Sequence, residues 1–341
     1  MEGNKIKRQR DIGGIIDNIK YVLKTHNQGI GQYARWIWQN KEKSRSLLPS
    51  EYGCADAANI LYTIGEFPKD AEERSAWVQT LQSFQNPKTG LFQEPTHHFI
   101  HTTAHCAAAL ELFDADCKYP MHDLLQYTDI QALYGLLDGL DWKHDPWSQS
   151  HRGAGIYAAL VLTNAVDSKW QDSYFAWLRR EADPETGLWR LGCVKEGSVP
   201  VWHHMAGSFH YLFNHEYAKQ PLPFPEKMID TMLWLLYEDE TFREVAAQRI
   251  SFIDVDWIYC LSRAMRQTGY RRDDGKQALE TYADRLVDFL ETIDPKTHDG
   301  FNDLHGLFGT VCALAELQQA LPGKIKAERP LKLVLDRRPF I

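Results

Sequence analysis

His101-Thr-Thr-Ala-His105-Cys-Ala-Ala-Ala-Leu110-Glu-Leu-Phe113 opens on ionisable side chains and runs into an apolar, alanine-rich tract. Five further segments of the 341-residue chain follow the same plan, starting around Asp56, His151, His204, Asp256 and His305. The steps along Asp56, His105, His151, His204, Asp256 and His305 are 49, 46, 53, 52 and 49 residues. A repeat of this size marks stacked supersecondary units.

The best-preserved units carry a second element upstream. Residues 77–84 precede Asn86-Pro-Lys-Thr-Gly90-Leu-Phe92 and the His105 segment; residues 175–178 precede Asp183-Pro-Glu-Thr-Gly187-Leu-Trp189 and the His204 segment. Residues 286–290 precede Asp294-Pro-Lys-Thr-His-Asp-Gly300-Phe301 and the His305 segment. Pro87, Pro184 and Pro295 fix φ and bias the preceding residue out of the helix, so the first helix of each unit stops there. Gly90, Gly187 and Gly300 are expected to supply the permissive backbone that re-aims the chain. The first helix keeps a polar face, whereas the second is apolar nearly all round, which suits an outer and an inner position. Six such hairpins closing on themselves predict an all-α (α/α)6 toroid, with an open superhelix as the rival.

The repeat runs without a linker, so residues 1–341 read as one domain. Residues 1–30, with a basic run over 5–10, read as a lead-in helix or arm, and residues 324–341 as a tail docking on the surface. The N-terminus carries no apolar signal core and no stretch nears membrane-span length. The six cysteines form no CxxC pair, and Cys54, Cys106, Cys260 and Cys312 fall within inner-helix segments. Buried thiols in a reducing compartment explain them, and a cytoplasmic location is expected. A net charge of −8 without a basic block argues against a nucleic-acid partner. No membrane partner is expected either.

Helix N-termini gathered at one mouth of such a ring favour anionic groups. Asp56, Asp254 and Asp256 can serve there as N-caps or as functional acids. In Ile253-Asp-Val-Asp-Trp257, two carboxyls one residue apart do not ionise independently, and one can stay protonated as a general acid. His204 and His305 come from adjacent hairpins and can share a proton with that pair, and Asp303 can orient the His305 imidazole. His101, His105, His151 and His203 add further rim groups. Trp147, Trp202 and Trp257 offer faces on which sugar C–H groups stack. Arg152 is the cation placed to hold a carboxylate.

The order of outer helix, Asp-Pro-Glu-Thr-Gly-Leu-Trp turn and inner helix resembles the six-hairpin glycosidases, including the unsaturated-uronyl hydrolases. That resemblance implies a glycoside hydrolase acting on a short, uronate-bearing oligosaccharide, with Asp256 or Asp254 as proton donor and His204 or His305 in support. A lyase built on a histidine base and Arg152 is the variant of this reading. The chain also resembles the terpenoid cyclases and protein prenyltransferase β subunits. Residues 82–92 look like a worn glutamine/tryptophan repeat, and Asp254-Val-Asp256 stands where cyclases carry their Asp-rich acid. The prenyltransferase zinc set would fall on Asp254, Asp256 and His305, with Asp256 replacing the soft cysteine ligand. No metal and no cofactor are therefore expected, only a small-molecule or oligosaccharide substrate.

Overall fold

The computed structural model describes residues 9–41 and 44–340; the basic residues 5–8 of the lead-in lie outside them. Regular structure is almost wholly helical. Twelve long helices follow in order: α1 (Gly13–His26), α2 (Glu51–Thr63), α3 (Ala71–Ser83), α4 (Phe99–Glu111), α5 (Ile130–Asp138), α6 (Pro146–Leu162), α7 (Ser168–Glu181), α8 (Val201–Tyr217), α9 (Pro225–Tyr237), α10 (Ile253–Gln267), α11 (Arg272–Thr292) and α12 (Leu304–Ala320). Two-residue strands Arg10–Asp11 and Ile325–Lys326 pair in parallel near the ends of the chain.

Local chemistry sets many of the helix starts. Ser50, Asp70, Asp129, Asp167 and Asp303 each accept a backbone N–H as N-caps of α2, α3, α5, α7 and α12, satisfying donors the helix cannot pair internally. Pro146 and Pro225 open α6 and α9, where a missing N–H costs nothing. Asp56, Asp254 and Asp256 are not caps: Asp56 lies a turn inside α2, and the start of α10 has no side-chain cap.

Burial separates two kinds of helix. Everything from Tyr52 to Ile60 on α2 and from His204 to His215 on α8 is buried, whereas α3 buries only Trp77 and Leu81. Each even-numbered helix packs on the next, and α12 packs on α2, so these contacts close into a cycle. Small residues permit the close approaches. A Cβ on Gly207 would stand 2.8 Å from the Pro146 carbonyl oxygen, and one on Gly155 would stand 3.2 Å from that of Ile100.

The Asn/Asp-Pro turns form as the residue types dictate. Asn86 and Asp183 each take two backbone N–H groups onto a side-chain oxygen, and Gly90 and Gly187 sit at φ 76° and 75°. The third turn, one residue longer, departs from expectation. Gly300 does not need a left-handed backbone; it lies in the short 3-10 helix Asp299–Asn302 and is small because a Cβ would meet Ile250 at 2.7 Å.

Both ends of the chain are more integral than expected. Within the proposed lead-in, α1 buries Ile15, Ile19, Val22 and Leu23 and packs on α11. Arg10 secures this seam through Asp288 at 2.7 Å and Glu291 at 3.0 Å. The tail does not simply dock on the surface. Arg338 and Phe340 are fully buried, Arg338 donates to Asn59 of α2, and Asn214 of α8 donates to the Pro339 carbonyl at 2.8 Å. Arg338 and Pro339 thus reach α2 and α8. Desolvation pulls the Arg338 guanidinium down to about 10, a sign of how dry that position is.

The cysteines are free, with Cys54, Cys106, Cys260 and Cys312 buried as inner-helix thiols. Among the described residues, no helix is long and apolar enough to cross a membrane.

Candidate active site

Residues four apart on a helix share a face, and this spacing builds the pocket. Tyr52 and Asp56 project from one side of α2, His101 and His105 from α4 with His97 a turn earlier, and Trp147 and His151 from α6. His210 comes from α8 and His305 from the first turn of α12. Their rings converge: His101 lies 4.3 Å from His151 and 4.8 Å from His97, and His151 lies 4.5 Å from His210, centroid to centroid. Five imidazoles (His97, His101, His151, His210 and His305) line a cavity of about 100 Å³ with Trp147 and Phe252. Phe340 of the tail packs edge-on against His101 at 5.1 Å.

Asp56 is the electrostatic centre. Its Oδ1 receives His105 Nε2 at 2.9 Å and His305 Nδ1 at 3.1 Å, all three groups being buried. Burial by itself would raise this carboxyl, but the His305 and His105 imidazoles outweigh it and hold Asp56 well below the usual carboxylate range. An ionised carboxylate only accepts hydrogen bonds, so both rings donate to it. That assigns the His305 proton to Nδ1 and leaves Nε2 as its basic nitrogen. Burial pushes His305 down to about 4 despite Asp56, so the ring is neutral at pH 7. The Oδ2 of Asp56 and Nδ1 of His105 are buried without a partner.

Around this core the pocket is polar and tied down. Arg35, from the loop before α2, pairs with Asp303 at 2.8 and 3.1 Å, reaches Thr96 at 2.7 Å and lies over the Tyr52 ring at 5.2 Å. Among the described residues, two sets of side chains have potential metal-ligand atoms within 4.8 Å of one another: His101, His151 and His210, and Asp56, His105 and His305.

The expected site residues divide. Asp56, His101, His105, Trp147, His151 and His305 come together. Trp202 and His203 lie beside them, with Trp202 edge-on to Trp147 at 5.9 Å and tilted against His203 at 3.8 Å. Arg152 donates to Gln149 at 3.2 Å, and its charge reaches His98 at the start of α4. Asp303 does not orient the His305 imidazole. It caps α12 by accepting the His305 backbone N–H at 3.0 Å and binds Arg35, and Asp56 orients the ring instead.

The expected acid pair is elsewhere. Asp254 accepts Tyr282 Oη and the Ala247 N–H, each at 2.7 Å, and burial raises it to about 6. Asp256 is fully buried with neither oxygen paired, and burial followed by the neighbouring Asp254 raises it strongly. No histidine acts on either acid, so neither shares a proton with His204 or His305. Trp257 faces outward, donating to Met232 of α9 at 2.9 Å and stacking on Tyr282 at 4.6 Å. His204 is buried with both ring nitrogens unpaired, against Gly197 and away from the cavity.

The groups absent from the sequence reading are Tyr52, His97, His210, Arg35, Phe252 and Phe340. The signal for His97 was present: 97, 101 and 105 mark one face at steps of four. A larger cavity, of about 740 Å³, opens at Met265, Arg272 and Lys276 beside the C-terminal parts of α10 and α12, and none of the clustered histidines lines it. No family model, curated protein or solved structure matches the chain.

Proposed function

We propose that the chain is an (α/α)6 toroid enzyme that acts by proton transfer on a short, uronate-bearing saccharide, as a lyase rather than a hydrolase. The closed cycle of even-numbered helices supports the toroid reading. The observation that carries the chemistry is the Asp56–His305 pair. A buried carboxylate holds a neutral imidazole in one tautomer, and the imidazole lines a small cavity. This is the arrangement of an oriented general base.

Glycoside hydrolysis on two carboxyls needs one of them protonated, with the pair about 5–9.5 Å apart across the scissile bond. Asp56 is held ionised, and Asp303 is bound to Arg35. Asp254, which accepts from Tyr282 and Ala247, and its neighbour Asp256 do not line the cavity. The lining supplies imidazole bases instead. Elimination then proceeds with His305 Nε2 taking the proton next to the uronate carboxylate. The C–H electron pair forms a C=C bond, the glycosidic oxygen departs, and the imidazolium returns the proton to that oxygen. Trp147 and Trp202 offer stacking faces at the entrance, and Arg152 a counter-charge. A terpenoid substrate calls for a more apolar chamber than a cavity with five imidazoles in its wall.

The test is a screen of short acidic oligosaccharides, read by the ultraviolet absorbance of the new conjugated double bond. The proposal predicts that absorbance with wild-type protein and its loss with His305→Ala. New reducing ends without the absorbance would make the reaction a hydrolysis. Undiminished turnover in His305→Ala would remove the base.

A further inference from the structure

We infer that His101, His151 and His210 bind one divalent transition-metal ion of the zinc class, with its remaining coordination position open to the cavity. This goes beyond the elimination reading and does not depend on it.

Hydrogen bonding distinguishes these rings from packed core histidines. His26 is a core histidine with a backbone carbonyl against each nitrogen, Ala34 at 2.9 Å from Nδ1 and Phe301 at 3.2 Å from Nε2, so neither nitrogen faces open space. His210 is satisfied at only one. Ser150 gives its single hydroxyl proton to the Trp147 carbonyl at 2.6 Å, so its contact with His210 Nδ1 at 3.0 Å must be accepted from the ring. His210 therefore carries its proton on Nδ1 and a lone pair on Nε2. His101 is held at Nδ1 by the Tyr52 hydroxyl, and metal binding through Nε2 requires that this contact run from the ring N–H to the Tyr52 oxygen. A polar partner on the nitrogen remote from the metal is how histidine ligands are usually fixed and oriented.

The third ring, His151, lies against both others, and one nitrogen from each of the three falls within 4.8 Å of the rest. Three neutral imidazoles are a ligand set for zinc, cobalt, nickel, copper or iron, whereas calcium and magnesium demand oxygen ligands. Burial, then the neighbouring histidines, lowers His101 and His151, and burial takes His210 to about 3. All three line the same cavity as His305, where three protein ligands leave a position for water or substrate oxygen. The Asp56, His105 and His305 set is the weaker claimant, because the carboxylate that would ligate the ion already accepts an N–H from each ring.

The experiment is titration of chelator-treated full-length protein with cobalt(II) alone, read by visible absorption, followed by displacement with zinc(II). The expected result is one equivalent of cobalt giving the ligand-field bands of a four- or five-coordinate site, bleached by zinc. His151→Ala should abolish the bands. Ser150→Ala keeps all three rings but frees the His210 tautomer, and should weaken binding about 10–100-fold. Asp56→Asn should retain the bands. Absence of the bands in wild-type protein overturns the inference without reference to any variant's folding. Bands that survive in His151→Ala, or that vanish in a cooperatively folding Asp56→Asn protein, overturn it as well. Intact bands in a protein with no eliminase activity would sink the elimination reading and leave the metal site standing.

Discussion

Asp56 and Asp256 make an instructive pair. Both are fully buried carboxyls within inner helices, α2 and α10. Asp56 meets two imidazole N–H groups and stays ionised. Asp256 meets none, has only Asp254 as a charged neighbour, and is driven towards the neutral form. Place in the repeat does not decide the charge of a buried acid. The donors brought to it from neighbouring helices do.

Substitution can break this comparison directly. Asp56→Asn removes the charge that orients His305 and should lower turnover about 10²–10⁴-fold, the usual scale of general-base catalysis. Steady-state kinetics on a substrate from the acidic-saccharide screen would measure it. A loss below threefold in folded protein would leave Asp56 as packing. Asp254→Ala strands the Tyr282 hydroxyl and the Ala247 N–H. It should cost about 2–4 kcal/mol by denaturant titration, because a buried donor left unpaired is expensive. Turnover of the surviving folded fraction should be unchanged.

Acid sharpens the contrast through linkage. Burial lowers His98, His204, His215 and His305 to about 4 and His210 to about 3, against an ordinary value of 6.5. The unfolded chain therefore binds more protons than the folded one between pH 6.5 and about 4, and each of these groups costs stability as pH falls through that window. Asp254, raised to about 6, and Glu316, raised to about 7, work the other way and gain stability on acidification. Burial also lowers His26, His97, His101, His151 and His203 and raises Glu51, Glu111, Glu216 and Asp256. Ten lowered histidines against six raised carboxyls predict that the denaturation midpoint of metal-free protein falls from pH 7 to 4. A flat or rising profile would contradict the neutral-histidine account.

Asp256→Asn is the smallest expected effect. Burial drives the acid towards its neutral form, it makes no hydrogen bond, and an amide matches its size, so stability should move by less than about 1 kcal/mol. Turnover should stay near wild type. A large kinetic loss here would restore Asp256 as the proton donor.

The helical repeat and its alternation of fully buried with partly exposed helices were legible in the roughly fifty-residue spacing and in the Asn/Asp-Pro-x-Thr-Gly turns. What a spacing of fifty residues cannot carry is rotational phase. A helix turns about 100° per residue, so steps of 46 to 53 aim nominally equivalent positions at different neighbours. His204 and His210 show the result. Six residues apart on α8, they lie about 120° apart around its axis, and only His210 meets the cavity. The i, i+4 pairs Tyr52/Asp56 and Trp147/His151 carried the phase information that the repeat lacked. Arg35 and Phe340 left no trace of this kind. Each comes from irregular chain, and its role depends on a partner far off in sequence, as with Arg35 and Asp303.

The central claim is that Asp56 fixes His305 as a neutral base with its proton on Nδ1. Nitrogen-15 NMR of the histidine rings at pH 7, assigned through His305→Gln, reads that state without any substrate. The account predicts a neutral His305 ring protonated at Nδ1, with that tautomer disturbed in Asp56→Asn. A ring protonated at both nitrogens, or at Nε2 alone, would contradict it.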